Sequence, residues 1–333
     1  MSTSVLIVAE IGSVHDGSFG NARKLIEAVA RCGADAVKFQ MHIASEETLP
    51  DAPPPPYFKD EERYEYFERT SFTLEQWRSL RELAHGLGLR FIVSPFCDRA
   101  VDMLVEEVGV DMLKIASGEV TNIPMLEKVA AAGRGVLLSS GMSTWTELDE
   151  AVKVLEGKVP ELVVMQCTSS YPCPPERVGL NVIREMRDRY GLPTGLSDHT
   201  LGMAASLAAV ALGATVVERH ITFSRQMYGS DAAHSLELDE FVFLCREIRE
   251  LERMLASPVD KNDVGDLKQM RKLFQKSVVT TRPLAAGSLI GEGDLAAKKP
   301  GDGLPPRLIG QLVGRRMRKS VPAGHMMRWE DIE

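Results

Sequence analysis

Short apolar, β-branched runs alternate with amphipathic stretches along the first 255 residues. The runs are VLIVA (5–9), AVKFQ (36–40), RFIVS (90–94), DMLKI (111–115), GVLLS (135–139), LVVMQ (162–166), PTGLS (193–197) and TVVER (215–219). Between the first two, Phe19, Ala22, Leu25, Ile26, Val29 and Ala30 recur at helical spacing, and Gly33 supplies a stop signal. A similar helix, LGMAASLAAVALG (201–213), joins the last two runs. Near-continuous apolar strands imply parallel pairing covered by helices on the outside. Eight such β-then-α units read as a (β/α)8 TIM barrel, with an open doubly wound sheet as the alternative.

After residue 255 the pattern changes. SPVDKNDVGDLKQMRK (257–272) is polar and reads as a linker with a short helix. Beyond it, PLAAGSLIGEGDL (283–295) resembles VPAGHMMRWEDI (321–332), with Gly287 and Gly324 each seven residues before Asp294 and Asp331. Two copies of a turn followed by a short strand predict a small, pseudo-symmetric β-rich domain. The expected layout is therefore a barrel over 1–256, a linker over 257–274 and the small domain over 275–333. PPPP at 53–56 marks an insertion after the second strand, expected as a loop over the barrel mouth.

Composition narrows the function classes. A formal charge of −8 argues against a nucleic-acid or anionic-membrane surface, and RRMRK (315–319) and KK (298–299) read as solvated faces. The five cysteines are odd in number and scattered, with Cys167 and Cys173 at a spacing unlike a zinc knuckle. They are read as reduced thiols of a soluble, cytoplasmic protein. No apolar run is long enough to span a bilayer, and MSTSVLIVAEIG lacks a basic leader.

In a TIM barrel, chemistry sits at the C-terminal strand ends. Those ends carry Glu10, Lys38 and Gln40, Ser94, Lys114 with Ser117 and Glu119, Ser139 and Ser140, Thr168, Ser169 and Tyr171, Ser197 and His199, and His220. A lone strand-end histidine is usually a hydrogen-bonded loop residue. Two on adjacent strands, about 4.8 Å apart, are close enough to share one ion. Two nitrogen ligands leave coordination positions open, which suits a catalytic Mn²⁺-like or Mg²⁺-like ion better than structural zinc. Lys38 and Lys114 read either as salt-bridge partners of Glu10 and Glu119 or as an anion site. In the second case the two glutamates are proton handlers or substrate clamps. The residues thus suggest a phosphorylated or carboxylated small molecule beside a divalent ion.

The segments AEIGSVHDGS (9–18), AVKFQ (36–40), SPF (94–96), KIASGE (114–119), LSSGM (138–142), QCTSSYP (166–172), GLSDHTLG (195–202), ERHIT (218–222) and GSDAAHSLE (229–237) resemble, in order, the motifs of the sialic acid synthases. That family includes N-acetylneuraminate synthase and its legionaminate and pseudaminate relatives. The C-terminal repeat domain resembles their antifreeze-like SAF domain. The resemblance implies a metal-dependent condensation of phosphoenolpyruvate with an N-acylated hexosamine, giving a nine-carbon 2-keto sugar acid and phosphate by C–O cleavage. It implies that His199 and His220 bind the metal, with Mn²⁺ first and Mg²⁺ or Co²⁺ as alternatives. Lys38, Ser94, Lys114, Ser117, Ser169, Tyr171 and Ser197 would hold phosphoenolpyruvate. Gln40, Glu119, Tyr171, Asp231 and Lys299 would hold the sugar. The catalytic set would be Glu10, Lys38, Lys114 and Glu119. Lys299 stands where bacterial neuraminate synthases place an arginine, and lysine lacks that planar fork. The family also implies a domain-swapped homodimer.

Two rivals belong to other classes. A Schiff-base pyruvate aldolase would use Lys38 or Lys114 as the nucleophile and ignore chelators. A non-catalytic carbohydrate-binding protein would need no barrel mouth lined with lysines, glutamates and histidines. Within the synthase reading, an aldose other than an N-acyl hexosamine is the alternative acceptor.

Overall fold

The computed structural model describes residues 4–54, 56, 58 and 60–333. Eight parallel strands follow one another in sequence order: β1 (Leu6–Glu10), β2 (Ala36–Met41), β3 (Arg90–Pro95), β4 (Met112–Ile115), β5 (Gly135–Ser139), β6 (Leu162–Cys167), β7 (Thr194–Asp198) and β8 (Val216–Thr222). Pairing of β1 with β8 closes the sheet, so the barrel expectation holds and the open-sheet alternative does not. Strand β8 continues past Arg219 to Thr222, because a two-residue strand, β9 (Leu236–Glu237), pairs with Ile221 and Thr222.

Helix boundaries follow local chemistry. The helix Phe19–Cys32 starts at Ser18, whose side chain accepts from Asn21 N, and ends at Gly33 with φ 84°. The helices Leu74–Gly86 and Trp145–Leu155 open on reciprocal capping boxes, Thr73 with Gln76 and Thr144 with Glu147. Outward strand residues such as Ile7, Phe39, Phe91, Val93 and Val164 pack under these helices.

The inward residues decide the function. The lower barrel is filled by Val8, Ala36, Ile92, Met112, Leu137, Val163, Met165 and Val216. Side chains alternate faces along a strand, so the same inward face returns two residues later. At that level stand Glu10, Lys38, Ser94, Lys114, Ser139, Cys167, Ser197 and Glu218, one from each of the eight strands. One further step brings in Gln40, Phe96, Ala116, His199 and His220. The interior therefore changes from apolar to charged within one alternation.

The first compact unit ends at Ser257 and the second runs Pro258–Glu333. The polar stretch read as a linker falls in the second unit and includes the helix Lys268–Phe274. There, β10 (Ser277–Thr280) pairs antiparallel with β11 (Leu295–Lys298). The two repeat copies exchange matching backbone bonds. Leu284 and Val321 bond reciprocally at 3.0 and 2.9 Å. Gly287 N donates to Met317 O at 2.7 Å, and Gly324 N donates to Thr280 O at 2.8 Å. Both glycines lie in the left-handed region, at φ 79° and 77°. Asp294 accepts from Gly291 N at 2.9 Å, and Asp331 accepts from Arg328 N at 2.7 Å. The predicted repeat is thus a pseudo-twofold.

Candidate active site

The charged layer forms one connected ionic array. Lys38 Nζ lies 2.8 Å from Glu10 Oε2 and 3.8 Å from Glu218 Oε1. Lys114 Nζ lies 2.8 Å from Glu218 Oε2. Ser197 Oγ donates to Glu218 Oε1 at 3.1 Å, and Gln40 Nε2 donates to Glu10 Oε1 at 2.7 Å. All four ionisable groups are buried. Burial opposes ionisation of Glu218, but Lys114 and then Lys38 outweigh it and hold the carboxyl well below its usual range. Burial likewise opposes the charge on Lys38, and Glu10 and Glu218 overcome it, so its pKa is raised. Two lysines facing two glutamates leave the layer without net charge.

Glu218 was absent from the sequence-derived site, and Lys114 pairs with it rather than with Glu119. A signal was present: Glu218 lies two residues before His220, on the same inward face. Glu119 sits on the turn Ser117–Glu119, where Asn122 Nδ2 donates to its Oε2 at 2.9 Å, and it lines neither cavity described below. Burial raises its pKa.

The histidines stand above this layer. Their rings are 5.5 Å apart between centroids and inclined by 55°. The register explains the approach: Ser197 faces Glu218 and Asp198 faces Arg219, so the next residues, His199 and His220, come side by side. His199 Nδ1 is 3.0 Å from the Thr168 carbonyl oxygen, an arrangement that places a proton on Nδ1 and leaves Nε2 as the atom a metal would take. Burial opposes the charge on this ring, but Cys167 and the Thr168 carbonyl outweigh it and raise its pKa, so a metal would have to displace a proton there. His220 Nδ1 is buried without a hydrogen-bond partner among the described residues, 4.0 Å from Asp231 Oδ2. Burial lowers the pKa of His220 more than Asp231 raises it, which favours the neutral imidazole a metal requires. The donor set therefore fits a metal with two protein nitrogens and open positions. Among the described residues, no group of three or more His, Cys, Asp or Glu side chains is arranged to hold an ion.

Between the inward positions, Asp198 and Arg219 point outward and brace the same two strands. Arg219 is among the largest fully buried side chains and forms an ion pair with Asp198. It also donates to Thr200 O at 2.6 Å and Gly202 O at 2.9 Å. Asp198 accepts from Thr200 N at 2.9 Å and Ser206 Oγ at 2.6 Å. This network fixes the backbone from which both histidines project.

Two cavities meet over the layer. The inner one, about 60 Å³, is lined by the eight inward residues with His199, His220 and Ser117 among others. The outer cleft, about 670 Å³, is walled by Phe58, Tyr66, Phe67 and Met142, with Ser13, Arg63, Ser169 and Asp231 among its polar groups. Gln40, Phe96, Ala116, Ser117, Tyr171 and His220 line both. Lys38, Ser94, Lys114, Ser117, Tyr171 and Ser197 are thereby brought together in the inner cavity, while Ser169 lies in the outer one. Gln40, Tyr171 and Asp231 line the outer cleft. Lys299 belongs to the second unit, where its Nζ lies 5.0 Å from the Phe274 ring centroid. Pro56 and Phe58 bring the insertion after β2 to the rim, whereas Pro55 of the proline run lies outside the described residues.

Two glycines permit close packing here. A Cβ at Gly141 would lie 2.5 Å from Ser169 Oγ and 2.6 Å from Ser117 Oγ. Gly12, at φ 53°, passes so near Asp231 that a Cβ would collide with its carboxylate. Asp231 is held there by Ser13, whose N and Oγ both donate to Oδ2 at 2.8 Å. Burial works against its charge, but His220 and Ser13 lower its pKa.

Comparison with known proteins agrees with this architecture. Residues 25–260 match the NeuB family, and residues 275–333 match the SAF domain. The N,N'-diacetyllegionaminic acid synthase of Campylobacter jejuni is 34% identical over 331 residues, covering 97% of this chain and 98% of that protein. The human N-acetylneuraminate-9-phosphate synthase is 36% identical, covering 95% of this chain and 89% of its own length. The crystal structure of N-acetylneuraminic acid (sialic acid) synthetase from Leptospira borgpetersenii superposes with a TM-score of 0.71 at 30% identity, covering 80% of this chain and 90% of that one. Among the described residues, no helix is long and apolar enough to cross a membrane. The chain belongs to the NeuB family of sugar-acid synthases and carries a SAF domain at its C-terminal end.

Proposed function

We propose that this enzyme condenses phosphoenolpyruvate with the open-chain aldehyde of an N-acylated hexosamine, releasing phosphate by C–O cleavage. The observation that carries the reading is the buried layer of Lys38, Lys114, Glu10 and Glu218 beneath two adjacent imidazoles. In this reaction C3 of phosphoenolpyruvate attacks the aldehyde carbon, water adds at C2, and the C2–O bond to phosphate breaks. The inner cavity takes the phosphate and carboxylate, against Lys38, Lys114, Ser94, Ser117 and Ser197. The outer cleft takes the sugar, with Gln40, Tyr171, Ser169 and Asp231 on its walls. Its aromatic lining suits N-acetamido and 6-deoxy substituents, such as those of a 2,4-diacetamido hexose. In this reading Glu10 accepts a proton from the water that adds at C2.

A divalent ion on His199 and His220 would supply Lewis-acid polarisation of the aldehyde oxygen. The charge balance supports this assignment. The lysines are already matched by carboxylates, so a polyanionic substrate gains little net attraction until further positive charge enters. The Schiff-base alternative has less support. It needs a neutral lysine amine, whereas Lys38 is held protonated by Glu10 and Glu218, and Lys114 pairs with Glu218 at 2.8 Å.

The same reading takes the SAF domain as a lid for a partner subunit, with Lys299 at the sugar end of the neighbour's barrel. Support comes from the helix Lys268–Phe274, where Met270, Leu273 and Phe274 are each at least half exposed and suited to docking. A mixed dimer of Lys299→Ala and His199→Ala subunits should regain about one working site in two, by the symmetry of a closed dimer. No recovery despite demonstrated subunit exchange would remove the trans lid. For the reaction itself, phosphoenolpyruvate carrying ¹⁸O at the bridging oxygen should deliver the label to phosphate, with N-acetylmannosamine or its 6-deoxy diacetamido analogues as acceptors. A chelator should stop turnover and Mn²⁺ restore it. Label retained in the keto acid, or full turnover without metal, would overturn the corresponding part.

A further inference from the structure

A hydrogen-bonded chain leads out of the catalytic layer and ends on a group the reaction above does not use. Gln40 Nε2 donates to Glu10 Oε1 at 2.7 Å, and Gln40 Oε1 lies 3.1 Å from His42 Nε2. His42 Nδ1 lies 2.7 Å from Glu47 Oε1. The His42 ring is clamped between Phe67, stacked at 3.8 Å and 4°, and Phe96, stacked at 4.2 Å and 18°. Its backbone is fixed as well, since Ser71 Oγ donates to His42 O at 3.2 Å and Ile43 N donates to Glu47 Oε2 at 3.3 Å.

Donors and acceptors must balance along this chain. Glu10 is a carboxylate paired with Lys38, so the Gln40 group facing it has to be the amide NH₂. The other end of Gln40, facing His42, is then a carbonyl oxygen, an acceptor only. Glu47 offers an acceptor to the opposite ring nitrogen. A neutral imidazole carries one N–H and cannot serve both. Turning the Gln40 amide round would relieve His42, but it would set the amide oxygen against the Glu10 carboxylate. The chain closes when Nε2 carries a proton toward Gln40 and one more proton lies between Nδ1 and Glu47, where the imidazole is the stronger base. Aromatic faces on both sides of the ring favour the resulting cation.

We propose that His42, as an imidazolium between Phe67 and Phe96, is a positioning residue that fixes the Gln40 amide and through it the Glu10 carboxylate. Gln40 lines both cavities, so this control acts where the two substrates of the proposed reaction would meet. The kinetic consequence rests on that proposed reaction, whereas the protonation state does not.

The test therefore has two arms. In the substrate-free, full-length enzyme labelled with ¹⁵N-histidine at pH 7, both His42 ring nitrogens should resonate as protonated, assigned by loss of the signals in His42→Gln. Glu47→Gln should leave one of them bare. In the kinetic arm, His42→Phe keeps a flat ring in the clamp and should lower kcat roughly ten- to hundredfold, the scale of one charge-assisted hydrogen bond. Phosphoenolpyruvate affinity should hardly change, because the lysines are untouched. His42→Gln retains a donor toward Gln40 and should recover part of the rate, while His42→Asn, whose donor reaches only toward Glu47, should not. In a Gln40→Ala background, His42→Phe should cost nothing further. A wild-type spectrum with one protonated and one bare nitrogen overturns the proposal, whatever reaction the enzyme performs. Equal losses in the wild-type and Gln40→Ala backgrounds overturn the positioning role.

Discussion

Replacing Glu218 by glutamine keeps the shape of the side chain and its bond to Ser197 but deletes the charge between two buried lysines. Lys38 keeps Glu10 at 2.8 Å. Lys114 keeps only a 3.5 Å approach to the Met165 sulfur, a weak acceptor. The variant therefore strands one buried ammonium. Removing one member of a buried ion pair costs about 3–5 kcal/mol. The retained amide favours the lower end, and at roughly 2–4 °C per kcal/mol for a domain of this size, Tm should fall by about 6–12 °C. The stranded charge should also welcome an anion. At about 4 Å and an effective dielectric constant near 20, one unit charge contributes about 4 kcal/mol before desolvation. Inorganic phosphate should thus raise the Tm of Glu218→Gln more than that of the wild type and narrow the gap. Acid should narrow it too. The folded Glu218 carboxyl is depressed from 4.5 to about 2, so its stabilisation is fully present above about 4.5 and is lost as pH falls through about 2. Thermal melts with and without phosphate, at pH 7 and at pH 3, measure all of this. Equal melting in phosphate-free buffer, or a gap that widens with phosphate, would refute the charge-balance argument.

Three further outcomes follow from the same geometry. Lys114→Met should weaken phosphoenolpyruvate binding by about 1.5–3 kcal/mol, the range for a charged hydrogen bond, with little change in sugar binding; calorimetry with each ligand separates the two. Gly141→Ala should push apart the Ser117 and Ser169 hydroxyls, raising the KM for phosphoenolpyruvate by roughly tenfold, a cost near 1.4 kcal/mol; initial-rate kinetics beside a thermal melt tell this local effect from unfolding. Asp198→Ala should leave the buried Arg219 guanidinium without its carboxylate and cost about 3–5 kcal/mol of stability; chemical denaturation reads it, and a loss below about 1 kcal/mol would show that the network does not brace the strands.

The sequence made the barrel legible because eight apolar runs, each bounded by a helix signal, admit few arrangements. Strand ends were accurate to a residue or so except in β8, whose extension depends on pairing with Leu236 and Glu237, a contact no local pattern announces. The site was legible as far as strand ends could show it. Glu218 escaped because the reading of β8 stopped at His220 and passed over the inward position two residues earlier, while Cys167, the last residue of β6, drew attention only as a reduced thiol. His42 escaped for another reason. It lies beyond β2 in an unremarkable loop, and its significance depends on Phe67 and Phe96, which come from distant parts of the chain. Lys114 pairs with Glu218 rather than with its sequence neighbour Glu119 because closure of the barrel brings β4 and β8 across from each other, which local sequence does not announce.

The exchanged backbone bonds of the SAF domain bear on its ancestry and on how it can be taken apart. Each repeat copy uses its turn glycine to bond the other copy's leading segment, Gly287 to Met317 and Gly324 to Thr280. This is the bonding pattern that two copies of one chain would make about a twofold axis. Neither copy completes its own fold, so the domain should behave as a covalently linked homodimer of a half-sized ancestor. A cut in the tether near 305–308 removes a chain bond but none of those exchanged bonds. Separately expressed halves should accordingly reassemble into a folded domain while each alone stays unfolded, and co-purification followed by circular dichroism would decide the matter. An independently folded half would show that the symmetry arose within a finished domain.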